Sequence, residues 1–189
     1  MTALEREPGM GPRIYGPEEI VAAVERLAAR IAADYRRKPL VLLGVLKGAL
    51  CFTSDLARAL AGQPDGPSEI LVDYICVGRY GALGTSGASP RLIMDAGLPL
   101  TGAHIVVTDT IVDDASTLRF VQALLRERQP ASLRTCALFD KAARREASFE
   151  PDYAGLAVGP VFVIGYGLDY KELYRNLPYL AELREVKTV

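Results

Sequence analysis

The chain has 189 residues, a formal net charge of −1 at pH 7 and an apolar content of 50%. This length is enough for one domain, residues 1–189, with its own hydrophobic core. The near-neutral charge provides no basic field that would attract nucleic acid, and the apolar runs are too short to span a membrane. Composition therefore predicts a single domain that binds neither nucleic acid nor a membrane.

The N-terminus and the cysteines predict a cytoplasmic protein. The stretch MTALEREPGMGPR lacks the apolar segment of a secretion signal, and we expect it to be a loose arm. Cys51, Cys76 and Cys136 lie in apolar segments and share no metal-ligand spacing. We therefore interpret them as reduced thiols in the core of a cytosolic protein.

Helices and strands are predicted to alternate along the chain. Pro17 followed by two glutamates is typical of a helix start, because proline fits the first turn and acidic side chains favour the helix dipole. The apolar run LVLLGVL is typical of a buried strand and is followed by a turn at Lys47 and Gly48. In chain order we expect a helix at 17–37, a strand at 40–46, a helix at 50–60, a strand at 69–77 near a sheet edge and a strand at 91–94.

A Gly- and Ser-rich stretch, residues 79–90, separates two of these strands. It contains few apolar anchors, so we expect a mobile loop, with a plain hairpin connection as the alternative.

The most informative stretch is AHIVVTDTIVDDASTL, residues 103–118. A β-branched run predicts a buried strand, Asp109, Asp113 and Asp114 crowd the following turn, and an amphipathic helix opens near Ser116. The first amides of a helix have no intrahelical partner, so this place favours an anion. Acidic side chains beside it suit sugar hydroxyls, magnesium or a proton to be removed. The alternative is an Asp N-cap that satisfies the same amides.

Three candidate site residues lie in or just after the strands predicted at 133–139 and 161–166. Lys141 is either a site residue or a rim charge, Phe162 either a site residue or core, and Asp169 either a ligand or the cap of a helix at KELYRNL. The single histidine, His104, is interpreted as structural. A further short strand is expected at 153–156, and residues 179–186 are expected to close a small subdomain.

Four segments, in the same order, resemble the type I phosphoribosyltransferases of the hypoxanthine-guanine branch: LKG at 46–48, the central stretch, LFDKAARRE at 138–146 and VFVIGYGLDY at 161–170. The resemblance implies an α/β fold with a mostly parallel twisted sheet flanked by helices. It implies a core at about 38–160 and a small hood subdomain from about 1–20 and 161–189. It also implies purine salvage, in which phosphoribosyl pyrophosphate and hypoxanthine or guanine react with Mg²⁺ to release pyrophosphate.

At the pyrophosphate end, the resemblance implies that Lys47 and Arg175 stabilise the leaving group. In many members of this family the peptide before the lysine is cis. The resemblance also implies that the amides of Lys47 and Gly48 face the leaving pyrophosphate. Asp169 matches the residue that binds magnesium. At the lid, Tyr80 matches a tyrosine of a loop that closes over the reaction centre, while Arg79 replaces the family's serine.

At the end of the site away from the pyrophosphate, the resemblance implies which residues bind the ribose, the 5′-phosphate and the purine base. Asp113 would take the proton from the purine, and Asp109 would hold the ribose hydroxyls. Ser116 and Thr117 would bind the 5′-phosphate. Lys141 would donate a hydrogen bond to the exocyclic oxygen of a 6-oxopurine, the Phe162 ring would stack on the purine, and the Val163 backbone would contact the edge of the base.

The central loop departs from the family pattern at three substrate-binding positions. Thr110 replaces the second of two paired acids, and Asp114-Ala115 replaces the Ser/Thr-Gly of the phosphate cradle. A carboxylate about 5 Å from a phosphate costs on the order of 3 kcal/mol per charge pair at an effective dielectric near 20. Asp114 must therefore turn away, be neutralised, or mark a chain that handles this substrate differently.

These departures motivate two alternatives to the transferase. One is a catalytically impaired or non-catalytic relative that binds or responds to purine nucleotides. The other keeps the chemistry with a different base or donor, with Asp114 and Arg79 in an altered site. By analogy with the family, we expect a homodimer or homotetramer.

Overall fold

The computed structural model describes residues 10–78, 89–143 and 149–184. Its elements are β1 (Met10–Tyr15), α1 (Pro17–Asp34), β2 (Pro39–Leu46), α2 (Leu50–Ala61), β3 (Glu69–Gly78), β4 (Arg91–Met94), β5 (His104–Val112), α3 (Ser116–Arg126), β6 (Ser132–Asp140), β7 (Tyr153–Ala157), β8 (Val163–Ile164) and β9 (Leu180–Leu183).

Six strands form the main sheet in the order β4-β3-β2-β5-β6-β7. β4 is antiparallel to β3 at one edge, and the other pairs are parallel. The chain moves outward from β2 to β3 on one side, and from β5 to β6 and β7 on the other. The strand order therefore reverses between β2 and β5, and ligands bind outside the carboxyl ends of the strands at such a switch point. The mostly parallel α/β fold expected from the sequence is confirmed.

Helices cover both faces of this sheet, which is why its central strands are apolar throughout. Along β2, Leu40 and Leu42 pack against α1 and α2 in one core cluster. Val41 and Leu43 point the other way and pack against α3. A strand buried on both faces needs apolar side chains at every position, as the run LVLLGVL provides.

A second sheet, in the order β1-β9-β8, is built from both ends of the chain. β1 pairs antiparallel with β9, with Tyr15 opposite Leu180. The expectation of a loose N-terminal arm is therefore wrong from Met10 onward. Backbone pairing with β9 and stacking of Tyr15 on Phe139, with ring centroids 6.1 Å apart, order this segment. Residues 1–9 lie outside the described residues.

Backbone conformation explains three further differences from the sequence expectations. α1 ends at Asp34 rather than near residue 37, where Arg37 has a left-handed φ of 55°. The strand expected at 161–166 is confined to Val163–Ile164, because Gly165 and Tyr166 have positive φ values of 98° and 47°. The helix considered at KELYRNL does not form, and turns with positive φ occupy that segment.

Cys136 is fully buried, whereas Cys51 and Cys76 are only partly buried. Among the helices of the described chain, none has the length and apolarity needed to cross a bilayer.

Candidate active site

A cleft lies at the carboxyl ends of the strands beside the switch point. One cavity of about 320 Å³ is lined by the loop after β5, by Lys141 and by the segment from Phe162 to Asp169. A second cavity of about 370 Å³ is lined by the turn after β2 and by the segment that ends at Arg175. The two cavities share Asp109, Thr117, Leu168 and Asp169, so they form one continuous cleft.

The start of α3 carries an internal carboxylate. Asp114 Oδ1 accepts hydrogen bonds from the Ser116 amide at 3.0 Å and from the Ser116 hydroxyl at 2.8 Å. Ala115 makes this possible with a left-handed φ of 65°. Of the outcomes considered for Asp114, turning away is not the one seen here. The side chain satisfies the amide that the sequence assigns to a phosphate.

Lys141 and Asp113 form an ion pair at the end of the first cavity. Lys141 Nζ donates to Asp113 Oδ2 at 3.2 Å, and Lys141 is only 4% exposed. The rim-charge interpretation of Lys141 is therefore wrong. A buried ammonium needs a counter-charge, and Asp113 supplies it from the neighbouring strand end.

The turn after β2 is held against two other segments of the cleft. The peptide between Leu46 and Lys47 is cis, and the Thr110 hydroxyl donates to the Gly48 carbonyl oxygen at 2.9 Å. On the other side, a Cβ added to Gly167 would lie 2.0 Å from that oxygen, so only glycine fits there.

Thr110 is fully buried, with its hydroxyl bonded to backbone. Its side chain therefore holds the turn after β2, and direct binding of substrate by Thr110 stays a prediction.

The two cations expected at the pyrophosphate end share one carboxylate. Glu172 Oε2 lies 2.9 Å from Lys47 Nζ and 3.3 Å from Arg175 Nη2. The hydrogen bond from Lys47 lowers the pKa of the Glu172 carboxyl below its usual value, and Arg175 adds to this effect. Arg175 Nη2 also lies 2.7 Å from Asp169 Oδ1, and Arg175 Nη1 donates to the Gly167 carbonyl oxygen at 2.8 Å.

Glu172 lines the second cavity and contacts both cations, but the sequence analysis did not single it out. The signal was available in its spacing, because Glu172 lies midway between Asp169 and Arg175, which were both singled out. The segment between them does not form a helix, and the Glu172 amide instead donates to Asp169 Oδ2 at 2.9 Å. This turn brings all three side chains to the cleft.

The wall of the first cavity has an exposed aromatic ring. Phe162 is 53% exposed, so the core interpretation of this residue is wrong. Its ring meets Tyr170 edge-on at 6.0 Å between centroids, and Val163 follows it in the cavity wall. The lid prediction, with Tyr80 and Arg79, falls outside the described residues.

Strand order and loops together define a class of protein. One turn follows β2 and another follows β5, on the two sides of the switch point, and a cavity reaches Lys141 at the end of β6. This is the architecture of the type I phosphoribosyltransferases.

Comparison with known proteins narrows the class to a family. Residues 13–171 match the phosphoribosyl transferase domain. The hypoxanthine-guanine phosphoribosyltransferase of Crithidia fasciculata is 37% identical over 174 residues, which cover 89% of this chain and 82% of that protein.

Solved structures of the same family are also similar to this chain. A hypoxanthine phosphoribosyltransferase from Staphylococcus aureus has a TM-score of 0.85 at 33% identity, covering 97% of this chain and 96% of that one. The Trypanosoma cruzi enzyme, studied for the role of its C-terminal region in oligomeric state and activity, has a TM-score of 0.84 at 36% identity over 95% and 94% of the two chains. The chain belongs to the hypoxanthine-guanine phosphoribosyltransferase family.

Proposed function

We propose that this enzyme, a pentosyltransferase of purine salvage, transfers the phosphoribosyl group of phosphoribosyl pyrophosphate to hypoxanthine or guanine and releases pyrophosphate. The observation that carries the choice of base is the buried Lys141 ammonium in the cavity wall. An ammonium only donates hydrogen bonds. It therefore selects a purine with an acceptor oxygen at the 6 position over adenine, whose amino group cannot accept.

Asp113 is the proposed general base. Its carboxylate lines the same cavity as Phe162 and contacts Lys141, so a purine stacked on the ring and bonded to the ammonium lies beside it. Removal of the ring-nitrogen proton as that nitrogen attacks the anomeric carbon contributes about 10²–10⁴-fold to a rate. The Val163 backbone at the base edge completes the proposed purine contacts.

The anomeric carbon develops positive charge as the bond to pyrophosphate breaks. Lys47 and Arg175 line the second cavity, where they would stabilise the negative charge on the departing pyrophosphate together with the amide of Gly48. Asp109 stands between the two cavities and would hold the ribose hydroxyls.

The donor set at the junction of the cavities fits magnesium. Asp169 lines both cavities, with Asp109 nearby in the same wall, and no group of three or more metal-ligating side chains occurs among the described residues. Mg²⁺ is commonly held by one or two carboxylates together with substrate phosphates. Asp169 would hold it here, exchanging its contact with Arg175 for the ion, which would neutralise charge on the leaving pyrophosphate.

The 5′-phosphate is assigned to the amides and hydroxyls of Ser116 and Thr117, which requires Asp114 to leave the Ser116 amide. Two hydrogen bonds hold Asp114 there, and the side chain is only partly buried, so it has room to rotate. A phosphate dianion offers the same two donors a stronger acceptor. The Asp114 contact is also the observation that favours the second candidate, a relative that binds purine nucleotides without turnover.

Assembly and location are proposed on separate grounds. The partly exposed apolar side chains at one edge of the main sheet suit burial in a homodimer or homotetramer; they are Leu71, Val72, Leu92, Ile93 and Met94. All three cysteines carry free thiols, which suits the reducing cytoplasm.

A purine panel tests the proposed function. The protein is incubated with phosphoribosyl pyrophosphate and Mg²⁺ and with hypoxanthine, guanine or adenine in turn, and product nucleotide and pyrophosphate are measured. We expect stoichiometric nucleotide and pyrophosphate from hypoxanthine or guanine and none from adenine. Binding of guanosine monophosphate (GMP) by calorimetry, with no product from any base, would establish the non-catalytic candidate instead.

A further inference from the structure

The carboxylate of Glu172 stands where two cations converge. A single oxygen, Oε2, receives the Lys47 ammonium at 2.9 Å and the Arg175 guanidinium at 3.3 Å. A pyrophosphate oxygen bound by the same two cations would take the same place. Glu172 and the substrate anion are therefore alternatives for one pair of donors.

The ion pairs that Glu172 makes with Lys47 and Arg175 can be exchanged for contacts to another anion. The Glu172 and Lys47 side chains are 61% and 62% exposed, and an ion pair at such exposure adds little stability. Arg175 is only 26% exposed, and its Nε is buried with no hydrogen-bond acceptor among the described residues. The guanidinium thus keeps one donor unused while Glu172 occupies another.

The turn fixes where the Glu172 carboxylate can reach. The Glu172 amide donates to Asp169 Oδ2 at 2.9 Å, and Glu172 has a left-handed φ of 66°. Glutamate rarely adopts this backbone conformation. An unfavourable backbone held at a cleft by a neighbouring carboxylate is a feature of functional sites.

We propose that Glu172 is a positioning residue that acts as an internal counter-anion. It holds Lys47 and Arg175 across the second cavity while that end of the cleft is empty, and it yields them to pyrophosphate or to the pyrophosphate group of the donor. This inference rests on the proposed function, which places pyrophosphate between the same two cations.

Because the Glu172 carboxylate competes with pyrophosphate for the same two cations, it lowers the apparent affinity for pyrophosphate. Two ion-pair contacts of Glu172, an exposed one with Lys47 and a partly buried one with Arg175, must be given up for each pyrophosphate bound, so removal of the carboxylate should tighten pyrophosphate binding by about 3- to 10-fold. GMP has no group at the pyrophosphate end, so its affinity should be unaffected. A residue that only supported the fold would move both affinities in the same, weaker direction.

The test uses Glu172→Gln and Glu172→Asn in the full-length protein. Glutamine keeps the length of the side chain without its charge. Asparagine is too short to reach Lys47 and tolerates the left-handed backbone, so it protects the experiment against loss of fold. The matched control is Glu69→Gln, which removes one exposed negative charge at the opposite end of β3 from the cleft.

Dissociation constants for pyrophosphate with Mg²⁺, and for GMP, are measured by calorimetry. Tighter pyrophosphate binding in both Glu172 variants, with unchanged GMP binding and no effect of Glu69→Gln, supports the inference. Equal or weaker pyrophosphate binding in the Glu172 variants overturns it.

Lys47→Ala separates this inference from the proposed function. If Lys47→Ala weakens pyrophosphate binding while the Glu172 variants bind it like the wild type, only the role of Glu172 is overturned. If Lys47→Ala also leaves pyrophosphate binding unchanged, the assigned position of pyrophosphate is wrong, and the role of Glu172 falls with it.

Discussion

Asp114 accepts two hydrogen bonds from Ser116, one from the backbone amide and one from the hydroxyl, at 3.0 and 2.8 Å. These are the groups to which we assign the 5′-phosphate at the start of α3. The cleft therefore has an internal carboxylate at each of the two proposed phosphate positions, Asp114 at one and Glu172, between Lys47 and Arg175, at the other. In the proposed function, each of these carboxylates gives up its contacts to a phosphate group of the substrate.

Replacement of Asp114 should strengthen nucleotide binding through the phosphate alone. In Asp114→Thr, which restores the residue type of the family pattern, we expect the dissociation constant of GMP to fall about tenfold, equivalent to about 1.4 kcal/mol. The reason is removal of a charge that repels the phosphate and competes for Ser116. Calorimetry measures the effect.

Guanosine and an isosteric variant serve as controls for this prediction. Guanosine lacks the phosphate, so its affinity should be the same in wild type and Asp114→Thr. Asp114→Asn removes the charge but keeps an oxygen for Ser116, and should give a smaller gain for GMP. An equal gain for guanosine and GMP would place the effect of Asp114 at the base or ribose instead.

Asp113→Asn should separate turnover from purine binding. Loss of the proton acceptor should lower kcat by about 10²–10⁴-fold. The dissociation constant for GMP should change much less, because in the proposed mechanism Asp113 assists the reaction while Lys141 and Phe162 hold the base. Steady-state kinetics and calorimetry on the same samples check both quantities. Equal turnover in the two proteins would remove Asp113 from the role of general base.

Lys141→Met should weaken the choice of base. Methionine keeps the length of the buried side chain but cannot donate to the 6-oxygen, so kcat/KM for guanine and hypoxanthine should fall about 10- to 100-fold. The measurement is kcat/KM for each oxopurine, with adenine as the base that makes no such bond and is expected to give no product in the wild type. An unchanged kcat/KM for guanine and hypoxanthine would show that Lys141 does not read the base.

Thr110→Val should affect the pyrophosphate end although Thr110 lines neither of the two cavities of the cleft. Loss of its bond to the Gly48 carbonyl should cost about 1 kcal/mol of unfolding free energy. It should also raise the KM for phosphoribosyl pyrophosphate about tenfold by misplacing the turn that is proposed to bind its pyrophosphate group. The matched control is Thr53→Val, which breaks the buried Thr53–Thr108 hydroxyl contact of 2.7 Å elsewhere. A similar loss of stability without a rise in KM is expected there, and the same rise in KM in both variants would contradict the role of Thr110.

Local sequence patterns predicted the parallel strands of the main sheet, and they also indicated which residues lie at the carboxyl ends of those strands. An apolar run followed by a polar turn marks the carboxyl end of a parallel strand, which placed Lys47, Asp113 and Lys141 at one edge of the sheet. Pairings between distant segments could not be read in this way. β1 is ordered by contact with β9, more than 160 residues later, and nothing local in MGPRIY indicates that partner.

Side-chain partners at the site were also beyond local patterns. The sequence indicated that Asp114 conflicts with a phosphate, but the direction of its side chain depends on the left-handed backbone at Ala115. The role of Thr110 depends on Gly48, a residue of a different loop. Such contacts are set by tertiary structure, where the two loops meet.

A crystal structure of the protein bound to GMP tests the central claim most directly, because the claim concerns where a phosphate sits. The account predicts the phosphate within hydrogen-bonding distance of the Ser116 amide and the Thr117 hydroxyl, with the Asp114 carboxylate rotated out of the cleft. A nucleotide bound with its phosphate elsewhere, while Asp114 still accepts both hydrogen bonds from Ser116, would contradict it.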